Sequence, residues 1–279
     1  MLIQHYRRRY PLDLPHWIFI DVLHNSTNAI IFLAKNAAGE HVAIKRFKFS
    51  VDGLDDAAIE HFLTGIRLLE SQHYPGLVQL HQAGITSGAV YLIMEYLRGE
   101  TLKTYLQQTP LPSFATRVQW FGEATQALQT VHELGMLHLD LKTSNIMIRD
   151  DATNPNRLVL LDFGLETRLL IDAGFLREDE IYCTPYYVSP ERIIGDVPDA
   201  RADLYALGVI LYELLLGKKP YESTSLSTLL KMQAIAPIPQ LPTEFAHFQP
   251  LLNKLLAKFP EDRLDSAADV LYWLHHQIV

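Results

Sequence analysis

The segment His138-Leu139-Asp140-Leu141-Lys142-Thr143-Ser144-Asn145-Ile146-Met147 sets an acid, a base and an amide within six positions, between apolar residues. Seventeen residues after Asn145 comes Asp162-Phe163-Gly164, behind the apolar run 158–161. Two aspartates and an asparagine brought to one loop can hold magnesium, whose hard ligands are carboxylate, carbonyl, phosphate and water oxygens. Upstream, Val42-Ala43-Ile44-Lys45 puts a lysine inside an apolar strand, where it needs an anionic partner.

The elements that must position these residues fall into two kinds. Residues 17–23 and 29–35 are apolar runs rich in Ile and Phe, separated by the polar stretch 24–28, which predicts a hairpin. Gly39-Glu40 turns the chain into a third strand at 41–47, with Lys45 in its middle. Ile59, Phe62, Ile66 and Leu69 recur at helical spacing over 54–71, with Asp52 as the expected N-cap. Pro75-Gly76 breaks the pattern, strands are expected at 77–80 and 89–96, and Arg98-Gly99-Glu100 reads as a linker. Beyond it the chain is mostly helical. Ser113 caps a helix that Gly135 ends, 136–164 is a region of loops and short strands, and 199–217 is a strongly apolar helix. Further helices are predicted at 224–234, 244–259 and 266–278.

Of the 279 residues, 48% are hydrophobic and 20% charged, enough for a core and unlike a disordered chain. The net charge of −8 disfavours a mainly nucleic-acid-binding protein, which needs a positive face. The run Arg7-Arg8-Arg9 reads as a solvated tail. A single cysteine, Cys183, excludes an internal disulfide and a cysteine zinc site, and suits a reducing compartment. The first residues lack a leader pattern, and the most apolar stretch, 206–216, contains Glu213 and is too short to span a bilayer. A cytoplasmic protein with no membrane contact is expected, as a monomer or weak dimer.

The motifs Val42-Ala43-Ile44-Lys45, His138-Leu139-Asp140…Asn145, Asp162-Phe163-Gly164 and Thr184-Pro185…Ser189-Pro190-Glu191 occur in that order, followed by Asp203-Leu204-Tyr205…Gly208 and Arg263. In this the chain, from about Trp17 to Leu274, resembles the eukaryotic-type (Hanks-type) serine/threonine protein kinases, and its compact loops look bacterial. The resemblance implies an α+β, bilobal protein-kinase-like fold. Residues 1–16 would be an extension, 17–97 a small antiparallel-sheet lobe with one helix, and 98–279 a larger, mainly helical lobe. It implies ATP and Mg2+ as cofactors and proteins bearing Ser or Thr as substrates. Asp140 would take the hydroxyl proton, Asn145 and Asp162 would hold the metal, and Lys45 would contact the α- and β-phosphates. Lys142 would stabilise charge near the γ-phosphate, and Thr184 would bond to Asp140 and shape the acceptor site. Leu23, Ile31, Ala43, Met94 and Met147 would enclose the adenine between the lobes, Met94 as gatekeeper, with backbone groups of Glu95 and Leu97 on the purine edge. Lys142 and Thr184 favour Ser/Thr over Tyr specificity. Glu191 and Arg263 resemble a buried ion pair, and Asp203 the acid that braces the catalytic loop.

Three departures stand out. The family's phosphate-loop glycines fall on His24, Ser26 and Ala29, so polar side chains from Asn25 to Asn28 would have to substitute, with Asn tolerating left-handed geometry. The helix glutamate that pairs with the strand lysine falls on Gly65; Glu60 and Glu70 lie off that face, and Lys45 would pair with Asp162 instead. Leu139 replaces the arginine that receives an activation-segment phosphate, and that segment offers few acceptors, among them Thr167, Tyr182, Thr184 and Ser189, with Glu178-Asp179-Glu180 as a solvated charge run. Activation by phosphorylation there is not expected. The leading expectation is an active kinase; the alternatives are a pseudokinase acting as nucleotide-binding scaffold or regulator, and a small-molecule phosphotransferase.

Overall fold

The computed structural model describes residues 2–52, 56–70, 72–151, 157–162 and 184–278. Phe163, Gly164, Thr167, Glu178-Asp179-Glu180, Tyr182 and Cys183, singled out in the sequence, lie outside the described residues. The chain divides into two compact units, one built from 2–74 and 78–98, the other from 75–77, 99–162 and 184–278.

The first unit is a five-stranded antiparallel sheet of order β1-β2-β3-β5-β4: β1 Ile18–Asn25, β2 Ala29–Lys35, β3 His41–Phe47, β4 Leu80–Thr86 and β5 Ala89–Glu95. The hairpins at 24–28 and at Gly39-Glu40 form where the polar residues put them. β4 starts three residues later than the apolar run at 77 suggests, because Leu77 belongs to the second unit and bridges there to Leu160. Register sorts the side chains onto two faces. Ile31 stands opposite Lys45, Lys45 opposite Leu92, and Ala43 opposite both Leu33 and Met94, so these residues share one face. Ile30, Phe32, Ala34, Val42, Ile44, Tyr91 and Ile93 form the buried cluster on the other.

That second face is covered by the amino-terminal segment. Helix α1 (Leu2–Arg9) and the residues after it set Ile3, Tyr6, Tyr10 and Leu14 against the cluster, and Leu12 is buried in it. The arginine run is exposed, as expected of solvated charges, but it lies in the last turn of a helix rather than in a tail. Helix α2 (Asp56–Glu70) buries Ile59, Leu63, Ile66 and Leu69. The Asp52 carboxylate accepts from the Ser50 hydroxyl at 2.8 Å, and residues 53–55, which a cap at Asp52 would bond, lie outside the described residues. Glu60 accepts from Arg67 at 2.7 Å, and Glu70 from the Ala83 amide at 2.6 Å.

The second unit opens at Gly99. The expected linker is in fact β6 (Gly99–Thr101), which pairs with β7 (Ile146–Arg149), itself paired with β8 (Leu158–Leu160). A Cβ at Gly99, whose φ is +149°, would lie 2.0 Å from the Ile148 carbonyl oxygen, so only glycine lets β6 close on β7. Two helices follow, α3 (Leu102–Leu106) and α4 (Phe114–Glu133). Ser113 caps α4 by accepting from the Thr116 amide at 3.1 Å. After α5 (Pro190–Ile194) comes α6 (Ala200–Leu216), apolar on all sides and therefore buried. Asp199 caps its start, and Gly217, left-handed at φ 68°, ends it. Helices α7 (Leu226–Ile235), α8 (Gln249–Leu255) and α9 (Ala267–Trp273) complete the unit. The single helix expected over 244–259 is divided: a 3-10 stretch, Thr243–Phe248, precedes α8, with Pro250 in the first turn of α8.

Candidate active site

The loop between α4 and β7 carries the densest polar residues in the sequence, and its backbone is held from three sides. Asp203, in the first turn of α6 and 1% exposed, accepts from the His138 amide at 2.8 Å, the Leu139 amide at 2.8 Å and His132 Nε2 at 3.0 Å. Burial alone would push the Asp203 carboxyl up; the His132 bond, the nearby His138 ring and the amides outweigh it and hold it below the usual range. It therefore stays an acceptor. Leu139 has φ 56°, a left-handed conformation that costs a residue with a Cβ about 1–2 kcal/mol. The Asp203 bond on its amide and a 2.6 Å bond from Arg192 Nη1 on its carbonyl keep it there. Nothing in the spacing of Arg192 marked it for this role. The turn ends in a single 3-10 turn, Thr143–Asn145, that delivers the chain into β7.

This backbone gathers four of the expected site residues. Lys142 Nζ donates to Asp140 Oδ2 at 2.6 Å and to Thr184 Oγ1 at 2.9 Å, and Thr184 donates to Asp140 Oδ1 at 3.0 Å. Asn145 Nδ2 donates to the Asp140 carbonyl at 2.9 Å and to Asp140 Oδ2 at 3.1 Å. The Asp140 and Lys142 side chains retain 28% and 21% exposure. Pairing of β7 with β8 sets Ile146 opposite Leu160, and the Leu161 amide donates to the Asn145 carbonyl at 2.8 Å. Asp162, at φ 55°, is the next residue along the chain.

Thr184 is fixed by a second buried network that the sequence reading missed. The Tyr187 amide donates to the Thr184 carbonyl at 3.0 Å. Tyr187 Oη donates to Glu213 Oε2 at 2.6 Å and lies 3.0 Å from Thr143 Oγ1, which links the segment after Thr184 to the 138–145 loop. Burial, then the Glu213 charge, pushes the Tyr187 hydroxyl far up, so it remains a donor. Gln233, fully buried on α7, donates to the Tyr186 carbonyl at 2.5 Å and accepts from Tyr205 at 2.7 Å. Ser189, another hydroxyl of the activation segment, is 1% exposed at the start of α5, which removes it as a modification site.

The residues expected around a nucleotide on the first unit have these places. Lys45 is 2% exposed, with its ammonium 5.1 Å from the Phe47 ring centre. Ala43, Met94 and Leu97 are buried, and Ile31 and Glu95 half-buried. Leu23 sits at a bulge between Val22 and His24 and is 43% exposed. The Glu95 amide donates to the Gln79 carbonyl at 2.9 Å, which takes that amide out of the expected set of purine donors. In the β1–β2 turn no residue from 24 to 29 has positive φ, so the left-handed geometry expected of Asn is not used. The Ser26 hydroxyl instead folds back onto Ala29, donating to its carbonyl at 3.1 Å and accepting from its amide at 3.2 Å. Met147, on β7 of the second unit, is half-buried opposite Val159.

Among the described residues no three His, Cys, Asp or Glu side chains come together as a metal cage. Magnesium does not need one, since it takes one or two protein oxygens and completes its shell with phosphate and water. With Asn145 Nδ2 turned to Asp140, its Oδ1 is the oxygen left for a cation, and Asp162, one residue after the Leu161 amide that bonds the Asn145 carbonyl, could supply a carboxylate. This donor set fits magnesium bound together with a phosphate.

A family model described as the protein kinase domain matches residues 25–276. Serine/threonine-protein kinase ULK3 of Rattus norvegicus is 32% identical over 257 residues, covering 90% of this chain and 53% of the rat protein. Serine/threonine-protein kinase Pkn1 of Myxococcus xanthus is 34% identical over 216 residues, covering 75% of this chain and 31% of that protein. Serine/threonine-protein kinase PknA of Mycobacterium tuberculosis is 28% identical over 237 residues, covering 83% of this chain and 54% of that protein. The chain thus spans about half the length, or less, of these curated relatives.

Proposed function

The chain belongs to the protein kinase domain family, and from that premise we infer that it transfers the γ-phosphoryl group of ATP to serine and threonine hydroxyls of proteins. The observation that carries this reading is the closed set of bonds among Asp140, Lys142, Thr184 and Asn145. In the reaction proposed, the substrate hydroxyl oxygen bonds to the γ-phosphorus, the bond to the β–γ bridging oxygen breaks, and ADP leaves. Asp140 orients that hydroxyl and receives its proton. Lys142, already 2.6 Å from Asp140, neutralises charge on the phosphoryl group in flight. Thr184, bonded to both, holds the carboxylate in one orientation, which is worth more to an in-line transfer than any covalent participation.

Asn145 Oδ1 and the Asp162 carboxylate would hold Mg2+, which when bound neutralises phosphate charge. Lys45 is assigned to the α- and β-phosphates. Leu23, Ile31, Ala43, Met94 and Met147 are assigned to the adenine, with backbone groups of Leu97 and the Glu95 carbonyl on its edge. Residues 17–97 and 98–279 are read as the two lobes of one kinase domain. A cytoplasmic setting and a monomer or weak dimer complete the reading. Among the described residues no helix is long and apolar enough to cross a membrane.

The engaged Ser26 hydroxyl and the glycine-free turn favour the competing reading of a nucleotide-binding pseudokinase. Transfer from radiolabelled ATP to generic protein acceptors separates the two, run with wild type, Asp140→Ala and Asp162→Ala in parallel and followed by mass spectrometry of labelled sites. Label on Ser and Thr that disappears in both variants is expected. Label that persists in them refutes the assignment, and a nucleotide-dependent thermal shift without transfer supports the pseudokinase.

A further inference from the structure

We propose that the amino-terminal segment, residues 2–14, is a strap that positions the β1–β2 turn, with Tyr10 and Tyr6 as its positioning residues. The proposal rests on the reading of that turn as the loop that covers the ATP phosphates.

No residue of this turn adopts the positive φ by which a glycine brings backbone close to phosphate, so its amides must be held in place by other means. The turn's own bonds run from Ser26 to Ala29 and do not tie it to the rest of the unit. Two outside connections do. The first ends on Lys48, whose amide donates to the Asn28 carbonyl at 2.7 Å and whose ammonium donates to the Ser26 carbonyl. That ammonium lies 5.1 Å from the centre of the Tyr10 ring, and the Arg46 guanidinium lies 5.5 Å from the same ring. Arg46 and Lys48 are like charges two residues apart along the chain, and burial lowers the Arg46 pKa. An aromatic face attracts both cations and fixes where each points. Arg46 Nε also donates to the Pro11 carbonyl at 3.1 Å, which locks the strap to β3 one residue from Lys45. The second connection is direct: Asn25 Nδ2 donates to Tyr6 Oη at 3.1 Å, and the Tyr6 ring stacks on Tyr10 at 6.5 Å. Arg7, 4.5 Å over Phe19, adds a hold on β1.

Register gives these contacts their meaning. The strap covers the sheet face that carries Phe32, Val42 and Ile44, opposite the face of Ile31, Ala43, Lys45 and Met94. It therefore reaches the turn from behind and lies on the face opposite Lys45. Packing alone would need Ile3, Leu12 and Leu14; it does not need Tyr6 on Asn25, or Tyr10 under a lysine bonded to the tip of the turn.

The test uses the full chain with Tyr10→Leu, Tyr10→Phe, Tyr6→Phe and Lys48→Met, the last cutting the link at the turn without touching the strap. Calorimetry should show Mg-ATP binding weakened about threefold to tenfold in Tyr10→Leu and Lys48→Met, the ratio one contact of this kind supports. Tyr10→Phe should bind as wild type, and Tyr6→Phe should weaken binding by about threefold or less, as an exposed hydrogen bond implies. Amide exchange over 24–29 should quicken in Tyr10→Leu and Lys48→Met while β3 and β5 keep their protection, and kcat at saturating ATP should hold. Exchange over 24–29 that is unchanged, or nucleotide binding that is unchanged, overturns the strap. A parallel loss of melting temperature and kcat with constant affinity also overturns it, by showing a merely structural role. Failure of the kinase reading shows separately, as a wild type that binds Mg-ATP but transfers no label; a wild type that does not bind it overturns the strap along with the loop assignment.

Discussion

Substituting Glu191 by Gln should destabilise the second unit by about 3–5 kcal/mol, the cost of leaving a buried charge without its partner. The structure makes this an unusually clean case. Arg263 has no side-chain exposure and Glu191 has 7%. All five guanidinium N–H groups are used: two on the Glu191 carboxylate at 2.7 Å each, and one each on the carbonyls of Ala257 at 2.8 Å, Arg201 at 2.9 Å and Lys258 at 3.2 Å. The substituted amide would keep one acceptor and present an N–H to an N–H, while the guanidinium charge stays buried. At roughly 2–4 °C per kcal/mol for a unit of this size class, the melting temperature should fall by about 6–20 °C. Arg263→Met should cost a similar amount. The double variant should cost less than the two singles together, by about 2 kcal/mol or more, because each single strands what the other removes. It should not return to wild type, since three carbonyls lose their donor. Thermal and urea melts read by circular dichroism measure all four proteins, and the losses should change little between 0.1 and 1 M salt because screening barely reaches a buried pair (about 10 and 3 Å Debye lengths). A drop below about 1 kcal/mol for Glu191→Gln, or strict additivity, would refute the argument. A catalytic consequence comes with it: Glu191 and Arg192 share α5, and Arg192 holds the Leu139 carbonyl. Transfer should therefore weaken in Glu191→Gln even at temperatures where the protein is folded.

Thr184→Ala should lower kcat about tenfold to a hundredfold, the loss of a hydrogen bond to a charged group, and Thr184→Ser should recover most of it; steady-state kinetics with a peptide acceptor decides. Lys258 is pushed down to about 8 from 10.5, first by burial and then by Arg263. Above pH 10.5 it is neutral folded and unfolded, and below about 8 it is charged in both, so only the unfolded chain takes up the proton in between. Lys258 should thus contribute an unfolding free energy that falls as pH drops from 10.5 to about 8, and Lys258→Met should remove that contribution in denaturant titrations; Tyr205 and Tyr221, raised in the folded chain from an ordinary 10.0, add an opposite slope near pH 10, so the difference between variant and wild type is the measure. Because Leu139 offers no charge to a phosphate, phosphatase-treated protein should transfer label as fast as untreated protein, and a loss that Thr167→Ala or Tyr182→Phe reproduces would contradict this.

Local signals made much of the fold legible. Gly39, Ser113, Asp199 and Gly217 act where their backbone preferences place them, and the bounds of β2, β3 and α6 follow from them. What was hidden depends on partners distant in sequence. Arg98-Gly99-Glu100 looks like a linker until β7 pairs with it. The amphipathic character of Leu2–Arg9 is masked by its three arginines, and its apolar side has meaning only with the outer sheet face in view. At the site, the residue types announced Asp140, Lys142, Asn145 and Asp162. The supporting groups Arg192, Gln233, Tyr187 and Glu213 carry no pattern of their own, because each acts through a bond closed by the tertiary fold.

The brace on the catalytic loop also fixes when the loop can mature during synthesis. His138 and Leu139 find their anchor in Asp203, 65 and 64 residues further on, and Leu139 its second in Arg192, 53 residues on. At roughly 5–20 residues per second, the ribosome needs about 3–13 s to add the 65 residues from His138 to Asp203. Through that interval Asp140 has been made but lacks these anchors, so a nascent chain carries the chemical groups of the proposed site without their geometry. A chain released early, anywhere before Asp203, would be silent rather than unregulated.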